Sequence, residues 1–154
     1  MTMIAREQVY EDGIVRIYWD GRAKYVELEG KGAAGITGAQ VRASLERLLE
    51  VVKKKMSRKI MADTAKMDKI DVEDLLWMET DWLPRCLKAG VKYVAVVPPK
   101  SLGSHMALDK LTEKVDPGAS GHVRRFFADA ESARKWISQQ GQGGLGVDGA
   151  DNAK

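Results

Sequence analysis

An α/β fold built on a mixed, largely parallel sheet is what this sequence predicts, and three observations carry the prediction. The run from Lys59 to Pro99 reads as a strand, an acidic turn, a helix, a glycine stop and an apolar strand, which is a β-α-β unit. Before it, two short segments flank Asp20-Gly21 with alternating side chains, the pattern of an antiparallel hairpin. Between these parts, Val41, Leu45, Leu48, Leu49 and Val52 recur at the spacing of one helix face. The expected architecture has about five strands packed by about four helices.

The elements follow in order. Val9-Tyr10 begins a strand, and Ile14 to Trp19 forms the next, with Val15, Ile17 and Trp19 on one side. Lys24 to Gly30 places Val26 and Leu28 on one face and Tyr25, Glu27 and Glu29 on the other, which predicts one face open to water. Thr37 and Gln40 are spaced as a capping box ahead of the first helix, which closes in Lys53-Lys54-Lys55 at the negative end of its dipole. Lys59 to Asp63 is a short strand, and Asp71 is placed to cap the second helix with its side chain. In that helix Leu75, Trp82 and Cys86 are expected to face the core, as are Leu76, Leu83 and Leu87. Pro84 removes a backbone donor and is expected to kink or break it, and Gly90 supplies the carboxy-terminal cap.

Tyr93 to Val97 has the composition of an interior strand and stops at Pro98-Pro99. A helix over Ser104 to Val115, a strand over His122 to Phe127 and a final helix capped by Asp129 complete the domain, whose core face in that helix carries Ala133, Trp136 and Ile137. The expected boundaries are one domain over 1–140 and a disordered tail over 141–154, where GQGGLGVDGADNAK has little apolar surface to offset the entropy of ordering.

Composition narrows the classes of function. The 154 residues carry a formal charge of +3, too little to draw a chain onto nucleic acid unless the cations cluster. One cysteine forms no internal disulfide, which suits a reducing cytoplasm, and no apolar stretch reaches the length of a membrane span. The start MTMIAREQ lacks the apolar core of a secretory signal.

Four stretches resemble the SpoIIAA-like (STAS/SEC14-like) domains of the STAS superfamily over roughly residues 9 to 138. They are Tyr25 to Gly30, Ala62-Asp63, Asp81-Trp82-Leu83-Pro84-Arg85 with Gly90, and VAVVPPKSL, together with the closing FFADAESARKWI. The resemblance implies a mixed sheet packed by helices and a role in interaction rather than catalysis. It also implies a phosphoserine switch at the start of the second helix. Here that region runs Met67-Asp68-Lys69-Ile70-Asp71 with no serine or threonine, so the switch is not expected. Asp68 and Asp71 stand where it would be.

Candidate chemistry is sparse. Cys86, late in a helix with apolar neighbours, is expected to be an inert core thiol, and His105 and His122 are too few for a zinc site. Asp63, Asp68, Asp71 and Asp74 lack the spacing of a calcium loop. No metal, cofactor or catalytic residue is therefore assigned. Lys53, Lys54, Lys55 and Arg58 form the densest basic patch, a solvated helix end or a dock for an acidic partner or lipid headgroup. Trp77, Met78, Trp82, Leu83, Pro99, Leu102, Met106 and Leu108 gather near the carboxyl edge of the sheet, where open α/β sheets place ligands. The sequence thus leaves two readings: a non-enzymatic module acting through protein–protein contact, including homodimerisation, or a carrier of a small apolar or lipid ligand beside the second helix.

Overall fold

The computed structural model describes residues 6–67, 70–99 and 122–141. Six strands form one sheet in chain order: β1 (Arg6–Glu11), β2 (Val15–Asp20), β3 (Tyr25–Gly30), β4 (Lys59–Asp63), β5 (Tyr93–Val97) and β6 (Val123–Phe126). β1, β2 and β3 pair antiparallel, and β3 to β6 run parallel. The fold is the mixed α/β sheet with an amino-terminal antiparallel hairpin that the sequence predicts. Among the described residues it has six strands rather than about five, with β1 paired along the length of β2.

Each turn has a local cause. Asp20 Oδ1 accepts the amides of Arg22 and Ala23 at 2.9 and 2.8 Å, an aspartate turn that reverses the chain between β2 and β3. Helix α1 (Gly38–Lys55) starts at Thr37, whose hydroxyl accepts the Gln40 amide while the Gln40 side chain accepts the Thr37 amide. The second helical rod spans 72–88 in three pieces: α2 (Val72–Trp77), a π-helical turn (Met78–Trp82) and α3 (Leu83–Lys88). Its wide turn lies just ahead of Pro84, which has no amide to give to the ladder, and the helix then resumes. Gly90 ends the rod at φ +115°, a conformation costly for any side chain. Helix α4 (Ala130–Gln139) is capped by the Asp129 carboxylate, which accepts the Ser132 amide at 2.8 Å.

Two layers of helix enclose the sheet. In register, Trp19, Val26, Ile60, Val94 and Arg124 form one row, with Ile17, Leu28, Ala62, Val96 and Phe126 beside it. This face meets α1 and the second rod through Leu45, Leu48, Val52, Trp82, Leu83 and Cys86. The opposite face carries Tyr25, Met61, Ala95 and Val97 under Ala133 and Ile137 of α4. At the amino ends of the two rods, a Cβ on Gly38 would fall 2.7 Å from the Asp74 carboxylate, so glycine permits the approach. Asp74 in turn accepts from Arg42 Nε at 3.0 Å, which ties α2 to α1.

Three expectations are corrected. β3 has no wet face: Glu27 is wholly buried because α4 covers its side of the sheet. Its carboxylate accepts from Arg6 Nη1 at 2.7 Å and from Arg134 Nη2 at 3.0 Å. Asp71 stands at the start of α2 but makes no side-chain cap, and only its backbone carbonyl takes the Asp74 and Leu75 amides. Leu76 is exposed, because the π turn adds a residue and shifts the buried stripe to Leu75, Glu79, Trp82, Leu83 and Cys86. The helix expected over 104–115 and the tail from 142 lie outside the described residues.

Removing one member of a buried charge cluster leaves the others uncompensated. Glu27→Ala is expected to cost about 3–5 kcal/mol in urea unfolding, against under about 0.5 kcal/mol for the exposed Glu7→Ala. Equal costs would show that Arg6 and Arg134 do not depend on Glu27.

Candidate functional site

Between the α1 face of the sheet and the second rod lies a cavity of about 120 Å³. Its floor is Leu28, Ile60, Ala62, Val94 and Val96, from the three adjacent parallel strands β3, β4 and β5. Its roof comes from Val41, Leu45 and Leu48 of α1 and from Leu75, Met78, Trp82 and Leu83 of the rod. Ala62 is the smallest side chain of the central row and leaves room beneath the helices. Met67, Ile70, Pro99 and Phe126 close its rim at the carboxyl edge of the parallel strands.

Trp82 fixes the roof. Its indole Nε1 donates to the Leu45 carbonyl at 2.7 Å, so the rod hangs from α1 through a buried hydrogen bond. Thr80 Oγ1 donates to Leu76 O at 2.8 Å inside the π turn. The turn also sends Glu79 inward beside Trp82.

Glu79 meets Arg124 of β6 in the same cavity wall. Arg124 Nη1 donates to Glu79 Oε2 at 2.5 Å, and both side chains are more than nine-tenths buried. Among the described residues each keeps one buried polar atom without a partner: Oε1 of Glu79 and Nη2 of Arg124. Both nitrogens of the buried His122 ring are also unpartnered among the described residues. Burial foremost, and then the Arg124 charge, push the His122 imidazole below its ordinary value, while Glu79 opposes them.

Met78, Trp82, Leu83 and Pro99 of the sequence-derived groove set line this cavity. Trp77 does not: it is half-buried against the edge of the core, with the guanidinium groups of Arg42 and Arg85 at 5.0 and 5.9 Å from its ring. Leu102, Met106 and Leu108 fall outside the described residues, as do Asp68 and His105. Asp71 borders a separate small polar recess with Thr37, Gly38 and Asp74. In the basic patch Lys53, Lys54 and Arg58 are exposed, while the Lys55 ammonium sits 5.6 Å from the Trp19 ring. The neighbouring Lys59 leaves that run altogether. It is buried on the α4 side, donates to the Gln140 carbonyl at 2.9 Å, and burial pushes its amine down to about 8.

Cys86 is fully buried, and burial pushes its thiol up to about 12. Among the described residues no group of three His, Cys, Asp or Glu side chains could hold a metal ion, and no helix is long and apolar enough to cross a membrane.

Glu79, Arg124, Met67, Ile70 and Ala62 were not assigned to the groove from the sequence. The usable signal was Glu79, a charged residue three positions before Trp82 in a stripe that is otherwise apolar. Arg124 carried a second signal: neighbours in a strand face opposite ways, so only one of Arg124 and Arg125 reaches this face. Arg125 instead lies against Phe127 and Trp136 on the α4 side.

A buried neutral His122 has a measurable consequence. Because its folded-state pKa lies below the unfolded 6.5, the unfolded chain takes up a proton first as pH falls. His122 therefore contributes stability above pH 6.5 that is lost on acidification below it. The protein is expected to lose more stability between about pH 7.5 and about pH 5 than a His122→Phe variant. Parallel pH profiles from thermal unfolding would refute this.

Comparison with family models, with curated proteins and with solved structures finds no match to this chain.

Proposed function

We propose that this chain is a non-enzymatic binding module, of the STAS/SpoIIAA-like type, that holds one small apolar molecule between its sheet and its second helical rod. The observation that carries the reading is the cavity of about 120 Å³ at the carboxyl edge of the parallel strands, with an almost wholly apolar wall. An apolar cavity of about 150 Å³ is known to take up benzene, so this one suits a body of about that size. At about 24 cal/mol per Å³, a void of 120 Å³ costs the fold about 3 kcal/mol that an occupant offsets. A binder built this way is stabilised by its ligand. The mixed sheet with its antiparallel start agrees with the family expected from the sequence.

Thermal unfolding with and without small apolar compounds, and native mass spectrometry of freshly purified protein, test the reading. Toluene is expected to raise the melting temperature by a few degrees. Val94→Phe, which places a ring in the cavity from its floor, is expected to keep the fold and abolish that shift. A protein indifferent to every such compound, or a Val94→Phe variant that still responds, would remove the reading.

Protein–protein contact is the second reading, and its support lies elsewhere on the rod. Val72 and Leu76 are exposed at a spacing of four residues, so they share one face of α2. If that face seats a second copy, light scattering shows a dimer that Val72→Asp with Leu76→Asp dissociates. A monomer at all concentrations excludes self-association through it.

A further inference from the structure

Among the described residues the cavity wall is polar only at Ser44 and Thr64, whose hydroxyls donate to Asp12 and to the Val97 carbonyl, and where Glu79 and Arg124 meet, and that pair is only half used. One carboxylate oxygen and one guanidinium nitrogen bind each other, and the second atom of each stands buried without a partner. Both belong to side chains more than nine-tenths buried that line the cavity. Glu27 provides the contrast within the same sheet, since both its oxygens accept from arginine. An unmet hydrogen bond on a buried charged group is costly, and two of them on paired residues that line one cavity specify what would relieve them.

We propose that the ligand is a neutral small alcohol or phenol, with an apolar body of about benzene size and one hydroxyl seated on the Glu79–Arg124 pair. This rests on the cavity reading above and names its ligand class. The hydroxyl donates its proton to Glu79 Oε1 and accepts from Arg124 Nη2, so one group satisfies both atoms. A hydrocarbon of the same shape fills the void but leaves both unmet. A carboxylate meets Arg124 but brings a second negative charge against Glu79, and the pair, neutral as a whole, offers nothing further to balance it. The site therefore selects against both extremes of polarity.

The test uses isosteric probes: phenol, toluene, fluorobenzene and benzoate. Titrations are followed by the methyl signals of ¹³C-methionine at Met67 and Met78, which line the cavity, and by calorimetry. Phenol is expected to bind about tenfold more tightly than toluene or fluorobenzene, with benzoate weakest. A purely apolar cavity gives the reverse order, because phenol gives up its hydrogen bonds to water on entering. In the double variant Glu79→Leu with Arg124→Leu both charges leave together, so neither is stranded. There toluene is expected to bind and phenol to fall behind it. Should that variant not fold, the ranking in the unaltered protein still decides. Toluene at or above phenol, or benzoate tightest, overturns the proposal while leaving a cavity that binds. If no probe binds, the cavity reading itself falls.

Discussion

The structure depends on one buried charge and what surrounds it. Glu27 lies in an inner strand, wholly out of water, and is held by Arg6 from the edge strand and Arg134 from the last helix. A lone carboxylate at that depth is untenable, so the second helical layer and the first strand must both be in place for the sheet to exist as it does. The guanidinium of Arg6 lies 4.0 Å from the Tyr18 ring, which fixes the approach from the β1 side. With that face closed by α4, the other face is free to carry an imperfect fit between sheet and helices. The cavity lies there.

The two buried acid–arginine clusters show how differently one sheet treats charge. Around Glu27 every oxygen has a partner, and the cluster serves assembly. Around Glu79 the pairing is incomplete and opens on a void. The π turn is what makes this possible. It brings Glu79 and Trp82 inward together, one to meet β6 and the other to hang the rod from α1.

How much of this was legible in the sequence follows from the range of each interaction. Thr37, Asp129, Gly90 and the apolar stripe of α1 act within a few residues, and their roles could be read directly. Glu27 was misread as wet because alternation reports the strand's two faces but not what covers them. The covering residue, Arg134, is 107 positions away. Pro84 signalled an irregular helix, yet only the structure shows a π turn ahead of it, and the resulting change of phase is why Leu76 is exposed. Four members of the expected groove meet at the cavity, while Trp77 packs at the edge of the core beside Arg42 and Arg85. The Glu79–Arg124 pair, 45 residues apart, gave no local pattern beyond a charge in an apolar stripe.

Closure of the α4 face also bears on the order in which the molecule assembles. β1, β2 and β3 join through short turns, so their pairing costs little loop entropy and can form early. The layer that covers Tyr25, Glu27 and Met61 comes from residues at the far end of the chain, and Lys59 reaches the same segment through the Gln140 carbonyl. Until that segment has left the ribosome, one face of the sheet is open to water, with the Glu27 carboxylate held by Arg6 alone. The charge that demands a partner in the finished protein keeps the unfinished one soluble, because a hydrated carboxylate on an open sheet opposes edge-on and face-on association.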